Sequence, residues 1–157
     1  MKSKGGHLKK SQIWTIGWKE VVDLPALNLK GIRAKTDTGA LTSVLHCSKI
    51  QLKEINGEKF VEFIPIKPAK HPDAQVFVFP YIGEKTIKNS FGKEEIRYYI
   101  KTTIKLFNQE LPIELTLRDR SGMEFPMLLG RSFIKGKFLV DVGQSNLSQK
   151  TIIHFNK

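Results

Sequence analysis

Short segments in which apolar and polar residues alternate recur along this chain, and residues that favour turns separate them. Residues 14–18 alternate large apolar with small residues, and residues 59–64 alternate polar with apolar ones. Residues 75–79 are rich in β-branched and aromatic side chains, and residues 97–106 and 111–117 are further strand candidates. A period of two is typical of half-buried strands, and Asn56-Gly57 is a strong hairpin signal. Helical periodicity is nearly absent, except for one short segment at 131–135, after Gly130. The pattern predicts an all-β fold, a closed barrel or a sandwich, with one short helix.

The length of 157 residues fits a single domain. We expect residues 1–11 to form a flexible basic tail and residues 12–157 to form the domain. No apolar run approaches the roughly 18 residues of a membrane span, and no apolar segment follows the basic N-terminus, so neither a membrane span nor a signal peptide is expected. Cys47 is the only cysteine, which excludes an internal disulfide and agrees with a cytoplasmic location.

The formal net charge is +11, with a pI of about 9.8. A basic surface attracts acidic partners, which include nucleic acid, anionic membranes and acidic peptides. The alternative is an ordinary solvated surface. The lysines are scattered, and the chain carries neither an RNA-recognition consensus nor a Cys/His finger spacing, so nucleic-acid binding is not expected.

The sharpest local motif is Asp37-Thr38-Gly39-Ala40, which follows an extended segment. It places a carboxylate just beyond a strand end. Thr38 offers a hydroxyl that ties the loop down, and Gly39 permits a close backbone approach or a positive φ. A catalytic carboxylate needs such a rigid setting, although the same three residue types also form ordinary turns.

A second motif, Leu128-Leu129-Gly130-Arg131, lies about 90 residues downstream. The two motifs together resemble the retroviral-type aspartic proteases, in which the second segment passes close to the catalytic loop and supports it. The resemblance implies a closed retropepsin-like barrel with Asp37 as the catalytic aspartate. The implied loop supports are Thr38, Gly39, Ala40, Leu129, Gly130 and Arg131.

Further motifs in the same order narrow the resemblance, which covers roughly residues 14–147. They are Thr42-Ser43, Leu45-His46, Ser90, Gly92, Arg97, Leu117-Arg118-Asp119-Arg120, Met123 and Phe138-Leu139-Val140-Asp141. The set looks like the RimK-associated retropepsin-like proteins, commonly labelled putative ATP-dependent zinc proteases. Their link to ATP-grasp glutamate ligases implies such a ligase as partner and a glutamate-rich or glutamylated peptide as substrate. The residues implied at the substrate are Thr42, Ser43, His46, Ser90 and Arg97; for His46 a hydrogen-bonded structural role is the alternative.

Two positions depart from the family pattern. Leu41 stands where retroviral-type enzymes carry an acid that pairs with the matching arginine, which leaves Asp119 or the C-terminal carboxylate as partners for Arg131. Thr36 stands where the family more often has an apolar residue, a difference that bears on the packing behind the loop.

The zinc and ATP of the family label find little support in the residues. No phosphate-binding loop and no His-Glu-x-x-His sequence is present. His46 and Cys47 are adjacent, so on a strand they point to opposite faces; the other donors are His71, His154 and carboxylates. We therefore expect no cofactor and no metal.

Aspartic proteases use two carboxylates that share one proton. Because the chain supplies one Asp-Thr-Gly, the mechanism requires a homodimer. Asp141-Val142-Gly143 lacks the hydroxyl of a second such motif, and we interpret Asp141 as structural. The leading hypothesis is thus a homodimeric aspartic peptidase. The alternatives are a non-catalytic basic module that binds an acidic peptide or a ligase, and a zinc-dependent peptidase.

Overall fold

The predominance of strands is confirmed by a computed structural model, which describes residues 12–65, 75–89, 91–119 and 124–150. The predicted basic tail, residues 1–11, lies outside this part of the chain. The strands are β1 Trp14–Gly17, β2 Lys19–Leu24, β3 Leu29–Thr36, β4 Ser43–Ile55, β5 Glu58–Pro65, β6 Phe77–Pro80, β7 Glu84–Lys88, β8 Glu94–Leu106, β9 Gln109–Asp119, β10 Met127–Leu129 and β11 Phe138–Asp141.

Helical structure is sparse in the described residues. The helix α1, Arg131–Ile134, follows Gly130 as predicted. A short 3-10 helix, Pro25–Leu27, and helical structure at residues 147–150 were not predicted. The 3-10 helix, with three residues, is too short to show a helical period.

The main sheet has the strand order β10-β3-β2-β8-β9-β4-β5-β6, and β7 pairs with β8. β10 pairs in parallel with β3 and antiparallel with β4, so it contacts both strands that flank the Asp37 segment. β1 and β11 form a separate parallel pair. The ends of β3, β4 and β10 therefore meet at one place, although some 90 residues separate them in sequence.

Local signals placed the hairpins well. Asn56 and Gly57 both have positive φ, 52° and 82°, and Ile55 pairs with Glu58 as in a two-residue hairpin. Between β8 and β9 the turn residues are Phe107 and Asn108, with φ of 53° and 58°. Leu106 pairs with Gln109, so this turn also has two residues.

The core is a continuous cluster of aliphatic and aromatic side chains contributed by most of the strands. Among the described residues, one acidic side chain is buried: Glu20, on β2, is 1% exposed. Its carboxylate accepts backbone N–H groups from Gly17 at 2.8 Å, Leu147 at 3.1 Å and Ser148 at 2.9 Å. Glu20 thus ties the β1–β2 connection to the start of the C-terminal helical segment.

Candidate active site

The Asp37 loop begins where β3 ends, at Thr36. Asp37 is half-buried, and its Oδ1 accepts the backbone N–H of Gly39 at 3.1 Å. The Asp37 N–H donates to the Leu129 carbonyl of β10 at 2.9 Å, and the Ala40 N–H donates to the Asp37 carbonyl at 3.2 Å. These bonds fix the aspartate on both sides of the turn.

The start of α1 braces the same loop through its backbone. The Arg131 N–H donates to the Ala40 carbonyl, and the Ser132 N–H donates to the Leu41 carbonyl, both at 2.9 Å. Four of the predicted loop residues, Asp37, Ala40, Leu129 and Arg131, are therefore joined directly by main-chain hydrogen bonds.

Gly130 lies at the tightest point of this contact. A Cβ atom on Gly130 would lie 2.5 Å from the carbonyl carbon and oxygen of Thr42, closer than real Cβ contacts allow. The Gly130 N–H donates to the buried Ser43 Oγ at 3.0 Å. The requirement for glycine here is steric and arises from a chain segment far away in sequence.

We expect Gly130→Ala to lower the free energy of unfolding by about 1–3 kcal/mol, because a rigid backbone must shift to admit the methyl group. The same shift would move the loop that carries Asp37. Urea denaturation followed by fluorescence measures the effect. Ser132→Ala, an exposed change two residues away, is the control and should stay within about 0.5 kcal/mol of the parent. Equal stability of the two variants would contradict the contact.

The side chains of Arg131, whose partner the sequence left open, and of Thr36, which departs from the family pattern, both make hydrogen bonds within the described residues. Arg131 Nη1 donates to the Thr38 carbonyl at 3.1 Å, so this carbonyl, rather than Asp119, receives the guanidinium. The C-terminal carboxylate lies outside the described residues. Thr36 Oγ1 donates to the Gly17 carbonyl at 2.7 Å, which satisfies the hydroxyl behind the loop.

Asp37 lines an open cleft of about 830 Å³ between its loop and the β7–β8 hairpin. The charged lining residues are Asp37, Lys85, Lys88, Arg97, Arg118 and Arg131. One acidic side chain thus faces five basic ones. The β7–β8 hairpin, residues 84–98, contributes Lys85, Lys88 and Arg97 to one side of the cleft.

Of the five residues predicted at the substrate, two line the cleft, two are buried and one lies outside the described residues. Thr42 and Arg97 line the cleft. Ser43 and His46 are fully buried. Ser43 Oγ accepts the Gly130 N–H, and His46 Nδ1 lies 3.0 Å from the Phe125 carbonyl oxygen. Ser90 lies outside the described residues. Burial of His46 agrees with the structural alternative weighed for it.

The described residues do not assemble a zinc site. No group of three His, Cys, Asp or Glu side chains lies close enough to hold a metal ion in the part of the chain described. Cys47 is buried, its Sγ donates to the Leu45 carbonyl, and burial, together with the charge of Asp119, raises the pKa of its thiol. His71 and His154 lie outside the described residues.

The second Asp-x-Gly sequence forms a turn away from the cleft. Asp141 ends β11, and its carboxylate accepts the Gln144 amide at 2.8 Å and the Gly143 N–H at 2.9 Å. The hydrogen bond from Gln144, followed by that from Gly143, lowers the pKa of Asp141. These contacts agree with the structural interpretation of Asp141.

Sequence reasoning missed three basic residues of the cleft, Lys85, Lys88 and Arg118. The lysines belong to a scattered population that gives no local signal. Arg118 stood in a motif of the family resemblance but was not assigned to the site. Its place at the cleft follows from the pairing of β9 with β4 beyond the Asp37 loop, which the sequence does not show.

A mostly β fold with one Asp-Thr-Gly loop braced by a Leu-Gly-Arg segment defines a retropepsin-like protein. Residues 15–151 match the family described as retropepsin-like aspartic endopeptidase RimB. The chain belongs to this RimB-like family.

Two kinds of relative extend the comparison. Proteins named probable alpha-L-glutamate ligase, from Desulfotalea psychrophila and Parasynechococcus marenigrum, are 38% and 35% identical to this chain over 128 and 129 residues. Each alignment covers 80% of this chain and 27% of the relative, so the chain spans about a quarter of the length of these relatives. A crystal structure of a Legionella pneumophila protein of unknown function superposes with a TM-score of 0.68 at 27% identity, covering 86% of this chain and 98% of that one.

None of the helices in the described part of the chain is long and apolar enough to span a membrane.

Proposed function

We propose that this protein is a homodimeric retropepsin-like aspartic peptidase that cleaves acidic peptides, glutamate-rich or glutamylated ones in particular. The observation that carries the proposal is the charge of the cleft lining: among the described lining residues Asp37 is acidic and the other charged ones are basic. The aspartate supplies the chemistry, and the basic lining supplies the selectivity for acidic chains.

The dimer follows from the chemistry of the carboxylate. Hydrolysis of this type needs two carboxyl groups, and among the described residues that line the cleft Asp37 alone carries one. The loop is open to a second copy, because Thr38 and Gly39 are exposed. A Cβ on Gly39 would lie 3.4 Å from its nearest neighbour, Asp37 Oδ1, an ordinary contact; a glycine therefore relieves no clash within one chain. If the Asp37 loop of a second copy packed close to Gly39, a side chain at this position would clash with it, which would explain the glycine.

In the dimer, the two Asp37 carboxyl groups share one proton, because two adjacent carboxylates cannot both ionise. The ionised Asp37 removes a proton from a water molecule, whose oxygen attacks the peptide carbonyl carbon. The protonated Asp37 donates a hydrogen bond to the carbonyl oxygen. Proton transfer to the amide nitrogen then breaks the C–N bond and returns the pair to its starting state.

We also propose that the main sheet closes into a barrel. The pairings support closure, because the series β10-β3-β2-β8-β9-β4 ends on a strand that pairs again with β10. Closure would hold the Asp37 loop rigidly at one end of the barrel.

A glutamate ligase is the proposed working partner, with the cytoplasm as the shared location. The relatives from Desulfotalea psychrophila and Parasynechococcus marenigrum carry a segment like this chain within longer polypeptides named probable alpha-L-glutamate ligase. A ligase that adds glutamates creates an acidic chain, and the basic cleft is complementary in charge to such a product.

A non-catalytic binding module is the second candidate, favoured by the same five basic side chains. It would hold an acidic peptide or a ligase, would weaken with added salt, and would not depend on Asp37.

Light scattering across a dilution series, combined with hydrolysis of a hexaglutamate peptide at each concentration, tests the proposal. We expect a dimer whose activity per chain falls as dilution produces monomers, because each monomer holds half of the catalytic pair. Monomers at every concentration, with peptide bound but uncut, would contradict the peptidase and support the binding module.

A further inference from the structure

Two arginines in the cleft contact the same carboxylate oxygen. Glu95 Oε2 accepts Arg97 Nε and lies 3.5 Å from Arg118 Nε. Both arginines line the cleft that contains Asp37. The two guanidinium groups therefore border the cleft, and Glu95 bridges them at its wall.

The strand register explains why the arginines meet. Tyr99 of β8 pairs with Thr116 of β9, and Arg97 and Arg118 are the residues two positions further in each strand. From Tyr98 back to Glu94, β8 pairs instead with β7. Arg97 and Glu95 thus belong to the hairpin over the cleft, and Arg118 belongs to the main sheet. Like charges at opposite positions repel each other, so a carboxylate between them is favourable.

From this arrangement we infer that Arg97 and Arg118 form a carboxylate-binding site for the peptide, which Glu95 occupies when no peptide is bound. The inference rests on the proposed function and adds a specificity site to it. An acidic side chain of the bound peptide takes the place of Glu95, and the hairpin exchanges its contact with Arg118 for one with the peptide.

The chemistry of the three side chains supports exchange. Two guanidinium groups offer ten N–H donors, more than one carboxylate can accept, and their forked geometry suits bidentate pairing with a carboxylate. Arg97 is 7% exposed and Arg118 25%, so the basic side chains are held in place, whereas Glu95 is 40% exposed. Glu95 is the most exposed of the three side chains, and the carboxylate of the peptide would replace it, so the buried guanidinium of Arg97 keeps an ionic partner throughout the exchange.

The experiment measures binding in the Asp37→Asn background, so that the peptide is not cut and failure of catalysis does not affect the result. Calorimetry gives the Kd of hexaglutamate for the Asp37→Asn protein. The same measurement is made on Asp37→Asn proteins that also carry Glu95→Gln, Arg118→Gln or both substitutions. We expect Glu95→Gln to tighten binding about three- to fivefold, because the internal competitor is removed. Arg118→Gln should weaken binding about tenfold or more, and Glu95→Gln should no longer tighten it in that variant.

A matched control separates competition from net charge. Glu94→Gln removes the same charge from the adjacent position on the outward, exposed face of β8, and it should change the Kd less than Glu95→Gln does. Equal tightening by the two variants, or unchanged or weaker binding with Glu95→Gln in a protein that keeps its melting temperature, would overturn the inference while leaving the peptidase proposal intact. Absence of hexaglutamate binding by every variant would overturn both the inference and the acidic substrate class.

Discussion

Replacing Asp37 by asparagine is expected to lower the rate of peptide hydrolysis by about 10²–10⁴-fold, the usual contribution of a positioned acid–base group. An amide cannot take a proton from water, and two amides cannot share one. The fold should survive, because the asparagine Oδ1 can still accept the Gly39 N–H that Asp37 accepts at 3.1 Å. Initial rates with hexaglutamate, together with thermal melting, measure both effects.

Asp141→Asn is the matched control for this experiment. Asp141 also precedes a glycine by two residues and accepts its N–H, at 2.9 Å, so the chemical change and the local turn are alike. It does not line the cleft, and its substitution should leave the rate unchanged. A large loss of rate for Asp141→Asn, with full activity for Asp37→Asn, would show that Asp141 is the catalytic residue and that the assignment of Asp37 is wrong.

Glu20→Ala is expected to lower the free energy of unfolding by about 3 kcal/mol or more. Three backbone N–H groups, from Gly17, Leu147 and Ser148, would lose their acceptor, and each buried donor left without a partner costs about 1–3 kcal/mol. Urea denaturation followed by tryptophan fluorescence gives the value, because Trp14 lies in β1 and Trp18 lies between β1 and β2, next to Gly17.

Two further variants make the result specific to those hydrogen bonds. Glu20→Gln keeps the length of the side chain and one acceptor oxygen, and it should lose less stability than Glu20→Ala. Glu54→Ala removes an exposed glutamate from β4 and should stay within about 0.5 kcal/mol of the parent. If Glu20→Ala were as stable as Glu54→Ala, the buried carboxylate would not hold the two segments together.

The sequence had a readable signal for Glu20 that was not used. β2 buries every second residue, and Glu20 shares the inward face with Val22 and Leu24. A lone acidic residue on the apolar face of an alternating strand needs buried donors. The identity of those donors was not readable, since Leu147 and Ser148 lie more than 120 residues away.

In the candidate site, too, some features were predictable from the sequence and others were not. The Asp37 and Gly130 motifs were recognisable from residue types, and the backbone bonds between them agree with the predicted contact. The partner of Arg131 was not predicted. Its guanidinium donates to the Thr38 carbonyl, and because every residue has a backbone carbonyl, no residue type indicates such an acceptor. The basic cleft was not predicted either, because its lysines and arginines come from separate strands.

The sequence alone determined the local structure: the strand periods, the Asn56-Gly57 hairpin, the short helix after Gly130 and the turn that carries Asp37. These depend on backbone dihedral preferences and on side-chain alternation, which act over a few residues. The tertiary structure decided which distant side chains meet, including the contact of Gly130 with Thr42 and the shared Glu95 of Arg97 and Arg118. Such contacts depend on strand order and register, which are fixed only when the whole sheet pairs and buries its apolar face.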